Sequence, residues 1–211
     1  MKQMCRFCSF INENSPKEEN KIIYETNEYF SIASIGAFIE GWVLVSPKKH
    51  FVSMKNLYSD EKFIKFTNHM IELIKNKYSC PIIAFEHGPN KCDSKTSCGT
   101  NHAHLHLVPY VDSLYNDMIA GGLKWELCSA TQVESIAGSN EYLFYCEISN
   151  QDLWDDPVGY IHVLQKPISQ YFRKILAKRS NCFDEYDYKE NTFLENTIIT
   201  SNVLRNSTIN R

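Results

Sequence analysis

The sequence predicts a mixed fold in which short β-strands pack around one long helix. Segments rich in β-branched and aromatic residues recur through the first half of the chain, which is typical of strands. Between them, residues 59–78 carry apolar side chains at intervals of three and four, the period of an amphipathic helix. Residues 102–109 alternate histidine with apolar residues, which indicates a strand with one buried face.

Five strands and the long helix are predicted in the first half of the chain. Residues 26–28 are a polar break between the first two strands and predict a hairpin turn. Ser59 and Asp60 offer a cap at the start of the helix, whose apolar pattern continues to Tyr78. The predicted strands are residues 22–26, 29–33, 42–45, 81–85 and 102–109.

The second half of the chain has a looser pattern. Gly121 and Gly122 mark a break, and a boundary is predicted within residues 111–122. The predicted strands beyond it are residues 123–128, 142–147 and 159–164, and the predicted helices are residues 168–179 and 192–204. We therefore expect one domain over residues 1–115 and an extension, residues 116–211, that packs on it.

Length and composition indicate a globular protein without strong charge. The chain has 211 residues, 43% of them hydrophobic, and a net charge of -3 with a pI near 6.2. It has no overall basic field for a nucleic-acid backbone, so any nucleic-acid role would depend on a local patch. It shows no export signal and no apolar stretch near the roughly 20 residues that span a bilayer. We expect a soluble cytoplasmic protein with no membrane partner.

The chain contains eight cysteines, two of which form a CxxC pair at Cys5 and Cys8. Because no export signal is present, disulfides are not expected, and the pair indicates either metal ligation or a thiol redox centre. Redox centres usually place this pair between a strand and a helix, whereas here it lies five residues from the start. This position favours metal ligation.

Three histidines follow one another at a spacing of two along the last of the first five strands. In an extended strand His102, His104 and His106 point to one face, whereas Ala103 and Leu105 point to the other. Each imidazole needs a hydrogen-bond partner or a ligand, so the cluster indicates a functional site. The alternative is a group of satisfied core histidines.

The segment His102-Ala-His104-Leu-His106-Leu-Val resembles the histidine-triad (HIT) motif, in which three histidines alternate with hydrophobic residues. Four features precede it in the family's order: the CxxC pair, residues 42–50, the long helix, and the strand that leads to Glu86. The resemblance implies an α+β fold with an antiparallel sheet of about five strands packed by a long helix, here with an α/β carboxy-terminal extension. It also implies a nucleotide or nucleotide conjugate as substrate, and a homodimer.

The resemblance implies a role for each histidine of the triad. His104 matches the nucleophile that attacks the α-phosphate of a nucleotide and becomes transiently nucleotidylated, a task that suits a neutral imidazole. His102 matches the residue that orients this ring, and His106 matches the residue that contacts phosphate or leaving-group oxygens. All three are therefore candidate catalytic residues.

The resemblance also implies one structural zinc ion. In the zinc-containing members of the family, the ligands correspond here to Cys5, Cys8, His50 and His102. Four protein ligands leave no open coordination position, so this zinc is expected to be structural.

The nucleotide-binding residues that the resemblance implies include several departures from the family's pattern. Gly99 stands where the Hint branch of the family usually has a hydroxyl, so Ser97 or Thr100 is expected to supply it. Ser34 replaces a common acidic residue that contacts ribose, and Glu86, which replaces asparagine, is either a ribose ligand or a solvated carboxylate at a strand end. The expected set is Ser34, Ile35, Glu86, Ser97, Gly99 and Thr100.

The carboxy-terminal extension loosely resembles the tail of larger HIT-like proteins, including a CwfJ-like group associated with RNA processing. Arg173 could reach a phosphate, and Trp154, Tyr160 and Phe172 could stack on a base. The alternative is that these residues build a second layer or a dimer contact. Cys98, in the loop before the triad, is either a reactive thiol or an ordinary loop cysteine.

Three functions are compatible with these residues. The first is a nucleotide hydrolase or nucleotidyl transferase that cleaves at the α-phosphate through a covalent intermediate on His104. The second is a non-catalytic module that binds a nucleotide or RNA. The third, a zinc-stapled structural domain, leaves His104 and His106 unexplained.

Overall fold

A single antiparallel sheet of eight strands forms the centre of the computed structural model, which describes residues 5–11, 17–97 and 99–209. The strands lie in the order β1-β2-β3-β5-β4-β7-β8-β6. They are β1 (Ile22–Glu25), β2 (Tyr29–Ala33), β3 (Val43–Pro47), β4 (Ile82–Gly88), β5 (Leu105–Pro109), β6 (Glu126–Ser129), β7 (Tyr142–Ile148) and β8 (Val158–Val163). The predicted α+β class is confirmed.

The expected number of about five strands is wrong, because the extension continues the sheet. β7 pairs with β4 along its whole length, and β8 and β6 follow outward. All seven residues of β4 are buried, which requires a strand on each side and cover on both faces. The predicted division between residues 1–115 and 116–211 stays a prediction, and it falls between strands of one continuous sheet.

Helices cover both faces of this sheet. The predicted long helix is confirmed as α2, which is capped by the Asp60 carboxylate accepting a bond of 2.9 Å from the Lys62 amide. The apolar stripe of α2, including Phe63 and Met70, is buried against one face of the sheet. The helices are α1 (Arg6–Ile11), α2 (Glu61–Tyr78), α3 (Tyr115–Ala120), α4 (Val133–Ala137), α5 (Tyr171–Arg179) and α6 (Leu194–Ile209).

The opposite face of the sheet carries α1, α3 and α5. From α5, the Phe172 ring packs 4.8 Å from the Phe85 ring of β4, measured between centroids. From α1, the Phe7 ring packs 5.8 Å from the Phe30 ring of β2. A cleft lies between these two helices, above β2, β3 and β5.

The strand that carries the triad begins at Leu105, three residues later than predicted. Before it, the Ala103 amide donates to the Phe51 carbonyl, and the Ala103 carbonyl accepts from the Ser46 hydroxyl. These bonds go to a loop and a side chain, so residues 102–104 do not continue the strand ladder. The predicted alternation of faces still holds. The His102 and His104 rings both pack against Phe7 on one face. Ala103 and Leu105 are buried in the core on the other face.

Candidate active site and metal centre

The cleft brings together six of the nine predicted catalytic and nucleotide-binding residues. Six predicted residues line it: Ser34, Ile35, Ser97, Thr100, His104 and His106. Seven further residues complete the lining: Arg6, Phe7, Ile32, Leu44, His87, Arg173 and Tyr188. The lining therefore combines an apolar floor with hydroxyl, imidazole and guanidinium groups.

His104 presents one ring nitrogen to the cleft as a base. Its Nδ1–H donates to the backbone carbonyl of His102 across 2.7 Å, so the lone pair of the neutral ring lies on Nε2. Burial lowers the pKa of His104, which keeps the ring neutral near pH 7. A neutral ring with a lone pair toward the cleft can act as a nucleophile.

His106 presents the opposite tautomer. The Trp42 indole N–H donates to Nδ1 of His106 across 2.9 Å, so the proton of the neutral ring lies on Nε2. The ring stacks on Phe85 with centroids 4.4 Å apart. Burial, with the nearby His104, His87 and Arg173, holds the pKa of His106 well below its usual range. His106 is therefore a hydrogen-bond donor beside the lone pair of His104.

His102 lies outside the cleft, in a cluster with the other three predicted metal ligands. Its Nε2–H donates to the Pro47 carbonyl across 2.7 Å, and this bond leaves Nδ1 as the ligand atom. Burial is the main cause of a pKa lowered to about 4. The Nδ1 atom lies 3.3 Å from Sγ of Cys5 and 3.5 Å from Sγ of Cys8.

This cluster can hold a metal ion. Sγ of Cys8 lies 3.4 Å from Nδ1 of His50, and the donor atoms of Cys5, Cys8, His50 and His102 all lie within 4.8 Å of one another. Usual zinc bond lengths in a tetrahedron imply sulfur-to-nitrogen distances of about 3.6 Å. The observed separations fit this geometry, and two thiols with two imidazoles are a typical zinc donor set.

His102 connects the metal cluster to the cleft through its side chain and its backbone carbonyl. The side chain takes part in the cluster, whereas the backbone carbonyl fixes the ring of His104. Cys5 and Cys8 also position α1, which places the Phe7 ring 5.9 Å from the His104 ring. The cluster therefore holds one wall of the cleft and the orientation of His104.

Glu86 requires a correction, because it neither lines the cleft nor contacts solvent. Its carboxylate is buried on the α2 face of the sheet, where it accepts bonds from the Met54 amide and from the hydroxyls of Tyr58 and Tyr142. Burial raises the pKa of Glu86 to about 7, although these donors oppose the shift. The neighbouring residue of β4, His87, faces the cleft instead.

Six lining residues were missed from sequence: Arg6, Phe7, Ile32, Leu44, His87 and Tyr188. The signal for His87 was its position two residues after Phe85, which places both on one face of β4. Arg6 and Phe7 follow directly from the CxxC pair, because the ligands on either side bring them to the triad. No local pattern indicated Tyr188, which reaches the cleft only through the packing of the extension.

The extension contributes Arg173 to the cleft, as considered from sequence. The three aromatic residues that could stack on a base do not line the cleft. Trp154 is buried on the α2 face against Tyr58, and Phe172 is buried against Phe85, so neither can stack on a bound base. Both residues instead pack against the sheet, which agrees with the alternative that they build a second layer. Tyr160 packs beside a surface ring away from the cleft. 

The loop before the triad approaches the extension. Gly99 has a φ of +87°, and a Cβ there would lie 3.1 Å from Oη of Tyr188. Glycine therefore permits both the backbone conformation and the close approach. Cys98 lies outside the described residues.

Comparison with known proteins places the chain in a family. Over 111 residues it is 30% identical to an uncharacterised HIT-like protein of Methanocaldococcus jannaschii, and the alignment covers 50% of this chain and 78% of that protein. The chain belongs to the HIT-like family. No family model matches the sequence.

Solved structures of HIT proteins are also similar to part of the chain. A hypothetical histidine triad nucleotide-binding protein of Sulfolobus tokodaii is 26% identical, with a TM-score of 0.36, over 52% of this chain and 70% of that one. A HIT family hydrolase of Clostridium thermocellum is 22% identical, with a TM-score of 0.39, over 53% of this chain and 95% of that one. In the described part of this HIT-like chain, no helix has the length and apolar character needed to cross a membrane.

Proposed function

We propose that this HIT-like protein is a nucleotide hydrolase or nucleotidyl transferase that cleaves at the α-phosphate through a covalent intermediate on His104. One observation carries the proposal. The bond from Nδ1 of His104 to the His102 carbonyl leaves the Nε2 lone pair for attack, beside a proton donor on His106. His104 is not one of the four residues of the metal cluster, so its lone pair is not committed to the metal.

The reaction follows from the two tautomers. The Nε2 lone pair of His104 attacks the α-phosphorus, and the bond from phosphorus to the leaving-group oxygen or nitrogen breaks with its electron pair. The N–H of His106 donates to an oxygen of the transferring group and stabilises its charge. Water or another acceptor then attacks the phosphorus and gives its proton to the group that protonated the leaving group. The bond from phosphorus to Nε2 breaks, and its electron pair returns to His104.

The leaving group needs a proton, and Thr100 is the better placed of the two predicted hydroxyls. The Ser97 hydroxyl donates to the Ser94 carbonyl across 2.7 Å, so its proton is engaged. Thr100 lines the cleft in the same loop. We assign it the role of proton donor to the departing atom, with Ser34 and Ile35 on the nucleoside side.

A covalent adduct tests the proposal. The full chain is incubated briefly with mixed nucleotides, digested without acid, and analysed by mass spectrometry. We expect a nucleotidyl group on the peptide that contains His104, and its mass would identify the nucleotide. Bound nucleotide without adduct or turnover would instead support the binding module.

We further propose that the metal of the Cys5, Cys8, His50 and His102 cluster is a structural zinc ion. The donor set and the sulfur-to-nitrogen separations support this identity. Four protein ligands would hold α1 and the strand of the triad together and leave no position for substrate. We also propose a homodimer, which sedimentation of the purified chain would test.

A further inference from the structure

Two polar side chains outside the triad line the same cleft. His87 comes from β4 and Arg173 from α5, and both are buried, with exposed fractions of 6% and 4%. The Nε2 atom of His87 is buried and has no hydrogen-bond partner among the residues that the structure describes. A buried polar atom of this kind costs stability, so a ligand that satisfies it would be favoured.

Arg173 is held firmly at the cleft wall. Its Nε donates to the Tyr186 carbonyl across 2.9 Å, and its Nη2 donates to the Gly36 carbonyl. The guanidinium also lies 4.6 Å from the centroid of the Trp42 ring. These contacts orient the guanidinium at the wall of the cleft.

The charge of the cleft is positive although the chain carries a net charge of -3. Arg6 and Arg173 both line it, and no Asp or Glu is found among its described lining residues. The buried histidines of the cleft have lowered pKa values, so they add donors and acceptors without charge at neutral pH. A ligand with more than one negative charge suits this wall.

His87 and Arg173 adjoin the reacting centre. The His87 ring lies 6.2 Å from the His106 ring, between centroids, and 5.2 Å from Phe172, the residue next to Arg173. The Arg173 guanidinium lies 4.6 Å from the centroid of the Trp42 ring, whose N–H donates to His106. An anionic group beside the reacting phosphate would therefore meet these two residues.

We propose that His87 and Arg173 form a second anion subsite, which gives the cleft a preference for nucleotides that carry a phosphate beyond the α-phosphate. Arg173 would pair with this phosphate, and Nε2 of His87 would complete its hydrogen bonds. Because Arg173 belongs to the extension, the carboxy-terminal part of the chain would determine substrate choice. The proposal rests on the proposed function for its reaction, but binding alone tests it.

Binding of two matched probes separates this subsite from the reaction. AMP carries only the α-phosphate, whereas α,β-methylene-ADP adds a second phosphate through a bond that cannot be hydrolysed. Calorimetry on the parent chain should show α,β-methylene-ADP binding about 10- to 100-fold more tightly than AMP, the range of one or two charge-assisted hydrogen bonds. The guanosine pair is measured in parallel, because the preferred base is unknown.

Substitutions then assign the preference to residues. Arg173→Gln should abolish the preference for α,β-methylene-ADP over AMP, and Arg173→Lys should retain part of this preference. His87→Leu should reduce the preference without lowering the melting temperature. Lys174→Gln is the matched control, because it removes the same charge one residue away, where the ammonium lies over the Tyr186 ring and outside the cleft. This control should keep the full preference.

The outcomes distinguish the two proposals. Equal affinity of the parent for both probes, or an equal loss for both probes in Arg173→Gln, would overturn the subsite. If the preference is present but no adduct forms on His104, the subsite stands and the proposed enzyme activity fails. If ADP is cleaved no better than adenosine 5′-phosphoramidate and the binding preference is absent, the proposed enzyme activity is supported and the proposed subsite is disproved.

Discussion

The indole N–H of Trp42 donates to Nδ1 of His106 across 2.9 Å, and this one bond decides which nitrogen of His106 carries the proton. Replacement of Trp42 by Phe keeps a ring but removes the donor. We expect kcat to fall about 10-fold or more, because the His106 proton is then no longer held on the cleft side. The free energy of unfolding should fall by about 1–3 kcal/mol, because a buried acceptor loses its partner.

Trp125→Phe is the control for this change. Its indole N–H also donates to an acceptor, the Met118 carbonyl, but Trp125 does not line the cleft. Thermal unfolding and steady-state kinetics on both variants would show a loss of stability in each and a loss of kcat in Trp42→Phe alone. Equal kinetic losses would contradict the role of Trp42.

Replacement of His104 by Ala should abolish turnover while the fold and the metal remain. We expect the rate to fall by at least about 1,000-fold, because the proposed nucleophile is removed. His162→Ala is the control, since that ring also bonds a backbone carbonyl through Nδ1 but is not among the residues that line the cleft. Turnover of a nucleotide panel at the parent rate by His104→Ala would disprove the mechanism.

Loss of the metal should weaken both the fold and the activity. Cys8→Ser removes one ligand, so we expect less than one zinc per chain by elemental analysis, a lower melting temperature and a loss of turnover. Activity should decrease because the His102 carbonyl holds His104. Cys92→Ser is the control: its Sγ lies 4.0 Å from Nε2 of His50 but is not one of the four cluster ligands. An unchanged metal content in Cys8→Ser would rule out the proposed ligand set.

The buried carboxyl of Glu86 should make stability depend on pH. Its pKa is raised to about 7, above the ordinary value of 4.5, so the folded state binds this proton more tightly than the unfolded state. The resulting stabilisation is fully present below pH 4.5 and is lost as pH rises through 7, by up to about 3 kcal/mol. Urea unfolding at pH 5 and pH 8 should show this loss in the parent relative to Glu86→Gln. Parallel pH curves for the two proteins would contradict it.

A fragment of residues 1–115 should not fold stably by itself. β4 would lose its partner β7 along seven residues, and α5 would no longer cover Phe85. An exposed apolar edge of this kind favours aggregation. Gel filtration and circular dichroism of the fragment would test the division predicted from sequence, and a soluble fragment with a cooperative thermal transition would support an independent first domain.

The helix α2 and most of the strands could be predicted from sequence because their signals are local. The apolar period and the Asp60 cap are sufficient for α2. The position of β7 beside β4 could not be predicted, because strand pairing depends on side chains that meet only after folding. The error at Glu86 has the same origin, since the face of each residue on β4 is decided by its register with β5.

The sequence by itself determined the chemical groups of this protein: three alternating histidines, a CxxC pair with His50, and the strands and helix that carry them. These are properties of residue type and short spacing, which do not depend on distant contacts. Only the tertiary structure decided how the groups are used. It assigned each ring its tautomer through Pro47, His102 and Trp42, and it brought Arg173 from the extension into the cleft. A tautomer depends on the partner of one nitrogen, and each of these partners, except the His102 carbonyl, comes from a distant part of the chain.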